Sequence, residues 1–213
     1  MKPIRKFFDV LFEHYGPQKW WPCQSSARWE IITGAILTQN TAWTNVEKAI
    51  GNLLSAGVMS PERVLATPDT ELQELIRPAG FFTQKCVYLK AMAAFMLERE
   101  VAFEQSADVW ALRKELFSVK GVGRETADSI LLYAFNKPIF VIDAYTRRVA
   151  ERHLNLDGTL HYDILQKIFM DALPPEVAVY NEYHALIVVL CKESCKKSAC
   201  GEICSKIIRF QNK

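Results

Sequence analysis

Apolar residues recur at helical spacing along most of this chain. Ile4, Phe7, Phe8, Leu11 and Phe12 share one face over residues 4–15, the signature of an amphipathic helix. Gly16-Pro17 ends it, and a loop carrying Trp20-Trp21-Pro22 follows. Residues 27–38 form a helix that is apolar nearly all round in its later turns, which predicts burial. Further helices are expected over 42–55, from Ser60-Pro61-Glu62 by the proline-in-first-turn rule, over 69–76, and over 82–99. The second half predicts helices over 108–116 and 124–135. An apolar run, Ile139-Phe140-Val141-Ile142, then leads into a helix starting at Asp143, with others near 161–171 and 176–192. Trp29 and Trp110 are expected in the core.

Composition strengthens the all-α expectation. Gly and Pro number nine each among 213 residues, about 8% where roughly 12% is usual. No window approaches 18 uninterrupted apolar residues, so no membrane span is expected, and the N-terminal stretch has too short an apolar core, with acidic residues inside it, to read as a signal peptide. An intracellular, cytoplasmic protein is expected. The net charge of +2 says little, although residues 192–213 hold six Lys/Arg against two Glu. That tail suits phosphate contact and equally suits simple solvation.

Three constellations carry chemistry. Leu116–Ala127 reads helix, Gly121-Val122-Gly123 turn, helix. Glycines there let backbone N–H groups approach a phosphate, and the next helix N-terminus adds favourable partial charge; an ordinary helical hairpin is the plainer alternative. Some 20 residues on, Asp143 enters a helix from an apolar segment. It is at least an N-cap, and a carboxylate held ionised there can also serve catalysis. Cys191, Cys195, Cys200 and Cys204 fall within 14 residues, a clustering that suits metal better than a disulfide framework. His184, on an apolar helix, is a ligand, a base or a buried hydrogen-bonded residue.

With these motifs in order, the chain resembles the endonuclease III-like superfamily of helix-hairpin-helix DNA glycosylases. The residues that carry the resemblance are Ile36-Leu37-Thr38-Gln39-Asn40-Thr41, GVGRETA from Gly121, VIDAYTRR from Val141, His184-Ala185-Leu186-Ile187-Val188 and the terminal cysteines. It implies two helical lobes with a DNA cleft between them, one from 1–25 and 136–213, the other from 26–135 with the hairpin. It also implies a monomer acting on double-stranded DNA that contains damaged bases, flipping the base out and cleaving its glycosidic bond. Asp143 would be the catalytic carboxylate, Gly121, Gly123 and Arg124 would meet the DNA backbone, and Gln39 would lie near the gap left by the flipped nucleotide. The turn Gly80-Phe81 resembles one that borders the DNA strand.

Glu125 departs from the pattern GVGRKTA of members that also cut the backbone. A carboxylate cannot supply the amine nucleophile of a Schiff base, and Lys120 is poorly placed to replace it, so a monofunctional enzyme is expected. Trp20-Trp21-Pro22 with Trp43 resembles the 3-methyladenine DNA glycosylase branch, where such residues sandwich a cationic base; as a plainer reading these tryptophans pack the core. The cysteine spacing, x3, x4 and x3, also departs from the family's C-x6-C-x2-C-x5-C loop. The resemblance implies a [4Fe–4S] cluster, with zinc or no metal as the alternatives. The expected function is hydrolytic excision of alkylated bases in base excision repair. The alternatives are a glycosylase/lyase for oxidised or mismatched bases, or a DNA-binding hairpin without catalysis.

Overall fold

In the computed structural model, which describes residues 3–18, 20–25 and 27–204, eleven α-helices follow one another along the chain. They are α1 (Pro3–Tyr15), α2 (Arg28–Leu37), α3 (Trp43–Ser55), α4 (Pro61–Ala66), α5 (Asp69–Ile76), α6 (Phe82–Gln105), α7 (Val109–Leu116), α8 (Arg124–Ser129), α9 (Ala144–His153), α10 (Tyr162–Ala172) and α11 (Val177–Glu193). A short 3-10 turn, Arg77–Ala79, precedes α6. No strand forms among the described residues, and the all-α expectation holds; a single antiparallel bridge pairs Cys195 with Cys200.

The chain divides into two compact units. The first combines 1–20 with 138–213, and the second is 21–137. In the first, α1 lays Ile4, Phe7, Phe8 and Leu11 against α11 and α10. Phe12, expected on the same face, is 42% exposed, because the stripe is narrower than the sequence pattern suggests. The Tyr183 hydroxyl donates to the Ile4 carbonyl at 2.9 Å, tying the two chain segments of the unit together. At the centre Phe140 stacks on Phe169 and meets Tyr180 and Tyr183 edge-on.

The run 139–142 is wholly buried and lies outside the helices, yet it joins no sheet. Its backbone finds side chains instead: Gln166 donates to the Phe140 carbonyl at 2.6 Å, and the Ile142 N–H donates to the Tyr162 hydroxyl at 3.1 Å. Both partners lie on α10, so buried backbone groups are satisfied without a ladder.

The second unit differs from expectation in three places. Helix α6 runs to Gln105 rather than stopping at 99, because Phe103 is buried and Arg28 bridges Glu100 and Glu104 at 2.7 and 2.6 Å. The helix expected over 124–135 is α only to Ser129, after which Ile130–Ala134 widens into a buried π turn. Trp110 is 54% exposed and not in the core: its ring lies on the surface of α7, with the Arg113 guanidinium 5.4 Å from its centre.

Lys85 is the hub of this unit. Only 2% exposed, its ammonium donates to the carbonyls of Leu37 (2.8 Å) and Ala79 (2.9 Å) and to the Thr41 hydroxyl (2.7 Å). Burial lowers its pKa to about 8. One cation thus closes the end of α2 and the turn before α6. Lys85→Met would orphan these acceptors at a cost of about 3 kcal/mol; thermal unfolding should show a Tm lower by roughly 6–12 °C.

Candidate active site and candidate metal centre

The hairpin joins α7 to α8, and a buried two-pronged pair braces it: Arg113 donates to both carboxylate oxygens of Asp128, at 2.7 and 3.1 Å. Its two glycines have different reasons to be glycine. Gly121 has φ +85°, and a Cβ there would lie 2.3 Å from the Tyr88 ring, so the fold itself forbids a side chain. Gly123 has an ordinary φ of −93°, and a Cβ there would meet nothing within 4 Å. Its bare backbone lies at the exposed start of α8, beside exposed Arg124 and Glu125.

Gln39, in the turn after α2, donates its amide to the Gly121 carbonyl and the Thr126 hydroxyl, both at 3.0 Å. The expected DNA-facing glutamine is therefore also a strut of the hairpin. The turn before α6 carries a feature the sequence hinted at weakly. Phe81 is 65% exposed and held at φ +46°, a strained setting for a bulky residue that presents its ring to solvent.

The aromatic residues split between the units. Trp21 meets Trp43 edge-on at 5.2 Å and Tyr133 at 5.0 Å. Gly34 on α2 makes room, since a Cβ there would approach the Trp21 ring to 3.2 Å and Trp43 to 3.5 Å. Tyr133 was missed from sequence because only the π turn brings it to this nest. The loop beyond exposed Pro22 is fixed by buried Glu30, which accepts from the N–H groups of Gln24 (2.5 Å) and Ser25 (2.7 Å) and from the Ser25 hydroxyl. Trp20 belongs to the first unit, where the Lys192 ammonium sits 5.7 Å from its ring centre.

Asp143 is the N-cap of α9. One carboxylate oxygen accepts from the Thr146 N–H at 2.7 Å and its hydroxyl at 2.9 Å, and the other lies 3.5 Å from His184 Nε2. Burial opposes the charge, but His184 and Thr146 outweigh it, and the pKa falls below the usual 3.8. The group is an anion at neutral pH with a side chain only 15% exposed.

At the far end of α9 stands a second cluster. His153, Cys195, Cys200 and Cys204 bring their donor atoms within 4.8 Å of one another. His153, absent from the sequence-based ligand set, has its Nε2 3.4 Å from Cys195 Sγ. Cys191, expected as a ligand, is not among the four, although it borders them: on α11, its thiol donates to the Tyr145 carbonyl at 3.8 Å and hydrogen-bonds to Cys195. A hydrogen bond from Cys191, then His153 and Arg152, favour the Cys195 thiolate against its burial. Arg148 donates to the Cys195 carbonyl, and Arg152 to those of Lys196 and Lys197, so α9 grips the cysteine loop.

Comparison with known proteins gives this geometry a context. Residues 33–175 match the HhH-GPD superfamily of base excision DNA repair proteins, and the chain belongs to that family. It is 44% identical over 205 residues to a candidate DNA repair glycosylase of Methanocaldococcus jannaschii, covering 94% of this chain and 92% of the relative. It is 28% identical over 178 residues to endonuclease III of Sulfolobus acidocaldarius, 83% of this chain and 77% of that protein. Among solved structures, H. pylori 3-methyladenine DNA glycosylase bound to 1,N6-ethenoadenine superposes with a TM-score of 0.75 at 26% identity, covering 91% of this chain and 98% of that one. A non-covalent endonuclease III–DNA complex gives 0.79 at 20% identity, covering 99% and 97%, a likeness of fold. No described helix is long and apolar enough to cross a membrane.

The Asp143 charge is open to direct titration. Carboxyl carbon shifts should place its midpoint below 3.8, and Thr146→Val, which deletes one donor, should move it up. The stability this anion contributes is present above its unfolded pKa and fades as pH falls through the folded value. The acid limb of a stability–pH profile should therefore shift to higher pH in the variant.

Proposed function

We propose that this protein is a monofunctional DNA glycosylase that hydrolyses the N-glycosidic bond of alkylated, 3-methyladenine-like bases and leaves an abasic site. The observation that carries the substrate class is the nest of Trp21, Trp43 and Tyr133. Electron-rich ring faces attract a cationic base and gain less from a neutral one. Similarity to the H. pylori enzyme supports the same reading. In this reading Trp20 and Pro22 border the bound base, Gln39 stands near the emptied stack, and exposed Phe81 enters the stack as an apolar wedge.

The chemistry asks little of the protein. A base already cationic through alkylation leaves with the bonding electron pair and needs no proton. The sugar becomes oxocarbenium-like, and the Asp143 anion stabilises that charge. Water then adds to C1′, with Asp143 orienting it or taking its proton. Glu125 offers no amine, which favours hydrolysis over Schiff-base formation. Gly121, Gly123 and Arg124 bind the DNA backbone, with the bare Gly123 amide free to approach a phosphate closely. The donor set at the end of α9 fits a [4Fe–4S] cluster poorly, so no cluster is assigned a part.

Base release from methylated duplex DNA, with products separated by chromatography and borohydride trapping alongside, tests this reading. Released 3-methyladenine with no trapped complex is expected; a trapped covalent complex would instead point to lyase chemistry and Lys120. Asp143→Asn should cut release by about 10²-fold or more while duplex binding persists, whereas loss of both would mean the residue is only a helix cap. Gly123→Ala should weaken DNA binding about tenfold (~1.4 kcal/mol) with little change in Tm. Gly121→Ala should unfold the protein at lower temperature, since its Cβ collides with Tyr88.

A further inference from the structure

We propose that His153, Cys195, Cys200 and Cys204 bind a single tetrahedral metal ion, zinc by preference, where the family resemblance implies a four-iron cluster. The reason is the size of the donor cage. Four ligands around one zinc at Zn–S ≈ 2.3 Å stand about 3.8 Å apart along each tetrahedral edge. Cysteine sulfurs that reach the four corners of an iron–sulfur cube stand roughly 6 Å apart. Here all four donors lie within 4.8 Å of one another, and the His153 Nε2 to Cys195 Sγ separation is 3.4 Å. That spacing is closer to the edge of a one-ion tetrahedron than to that of a cube.

Ligand identity agrees. Three thiolates and one imidazole form an established structural zinc set, whereas family clusters take four thiolates. Residues 205–213 contain no Cys, His, Asp or Glu. The surroundings suit the charge. Three thiolates on one Zn²⁺ leave a net −1, and the Arg152 guanidinium donates to the sulfurs of both Cys195 and Cys200 at 3.8 Å. Such outer contacts fix ligands and offset their charge. Phe7 stacks on the His153 ring at 5.5 Å and holds its plane.

The consequence is mechanical. Asp143 caps one end of α9 and His153 closes the other, ten residues along, or about 15 Å of helix. The ion would pin the far end of the helix whose N-terminus holds the candidate catalytic carboxylate. It would also knot the cysteine loop to α9, adding to the arginine contacts.

Metal analysis of the full chain, produced both aerobically and anaerobically in medium containing iron and zinc, decides the matter. One zinc per chain and colourless protein are expected. Replacement with cobalt(II) should give the strong visible bands of a tetrahedral thiolate site, at roughly 600–750 nm. Cys200→Ser at the exposed ligand, and His153→Ala, should each lose most of the metal, and His153→Cys should retain it. Cys191→Ser should keep one zinc per chain. Chelation should lower the Tm of the wild type and leave that of Cys200→Ser unchanged. About four irons per chain with a brown colour would overturn the proposal, as would metal lost in Cys191→Ser but kept in His153→Ala. Chains that hold no metal after dialysis against zinc would overturn it equally.

Discussion

A buried carboxylate must stay charged at the start of α9, and much of the first unit is arranged around that requirement. Asp143 receives two hydrogen bonds from Thr146 and faces His184 at 3.5 Å. Without them, burial would push the proton back on and end both the cap and the charge. The buried run before it delivers the residue, and α10 supplies Gln166 and Tyr162 to its backbone. Arg147 then ties α9 to the loop after it through the carbonyls of Gly158 and Leu160. The helix is thus anchored by side chains from its first residue to His153.

In the second unit the corresponding constraint is space. Gly121 exists because Tyr88 occupies the place of its Cβ, and Gly34 because Trp21 and Trp43 lie over it. These absences let two aromatic groups approach helices closely, one beneath the hairpin and one in the nest. The charges that hold the unit are few and deeply placed: Lys85 on three oxygens, Arg113 on Asp128, Glu30 on the loop beyond Pro22. Lys85 reaches 48 residues back to Leu37 and Arg113 pairs 15 residues on with Asp128, whereas Glu30 fixes the loop just before its own helix; satisfied in this way, a buried charge gives specificity as well as energy.

The cysteine segment keeps a family pattern in outline and departs from it in spacing. Its loop follows α11, as the resemblance implies, but its cysteine spacing is tighter than the family pattern. Cys191 stays on its helix, and a histidine from α9 stands beside the other three cysteines. A structural ion and a cluster would serve the same mechanical end, since either fastens a basic segment to the body of the unit.

Helix number, type and most boundaries were legible in the sequence, because period-3.6 burial, proline starts and glycine stops act locally. The hairpin, the acid at the head of α9 and the family itself were legible for the same reason: each is a short contiguous motif. Tertiary contacts decided the rest. Only Phe103 and the Arg28 bridges explain why α6 runs six residues past a charged stretch, and only the buried π turn brings Tyr133 to Trp21. Trp110 has the composition of a core residue, yet it sits on the outer side of α7. His153 gave no local signal, since its meaning lies 42 residues away at Cys195. The sequence by itself determined which segments coil and where the carboxylate stands, because those choices are made within a few residues. Which side chains share a cage or a nest is set by packing between remote segments, and that the tertiary structure alone decided.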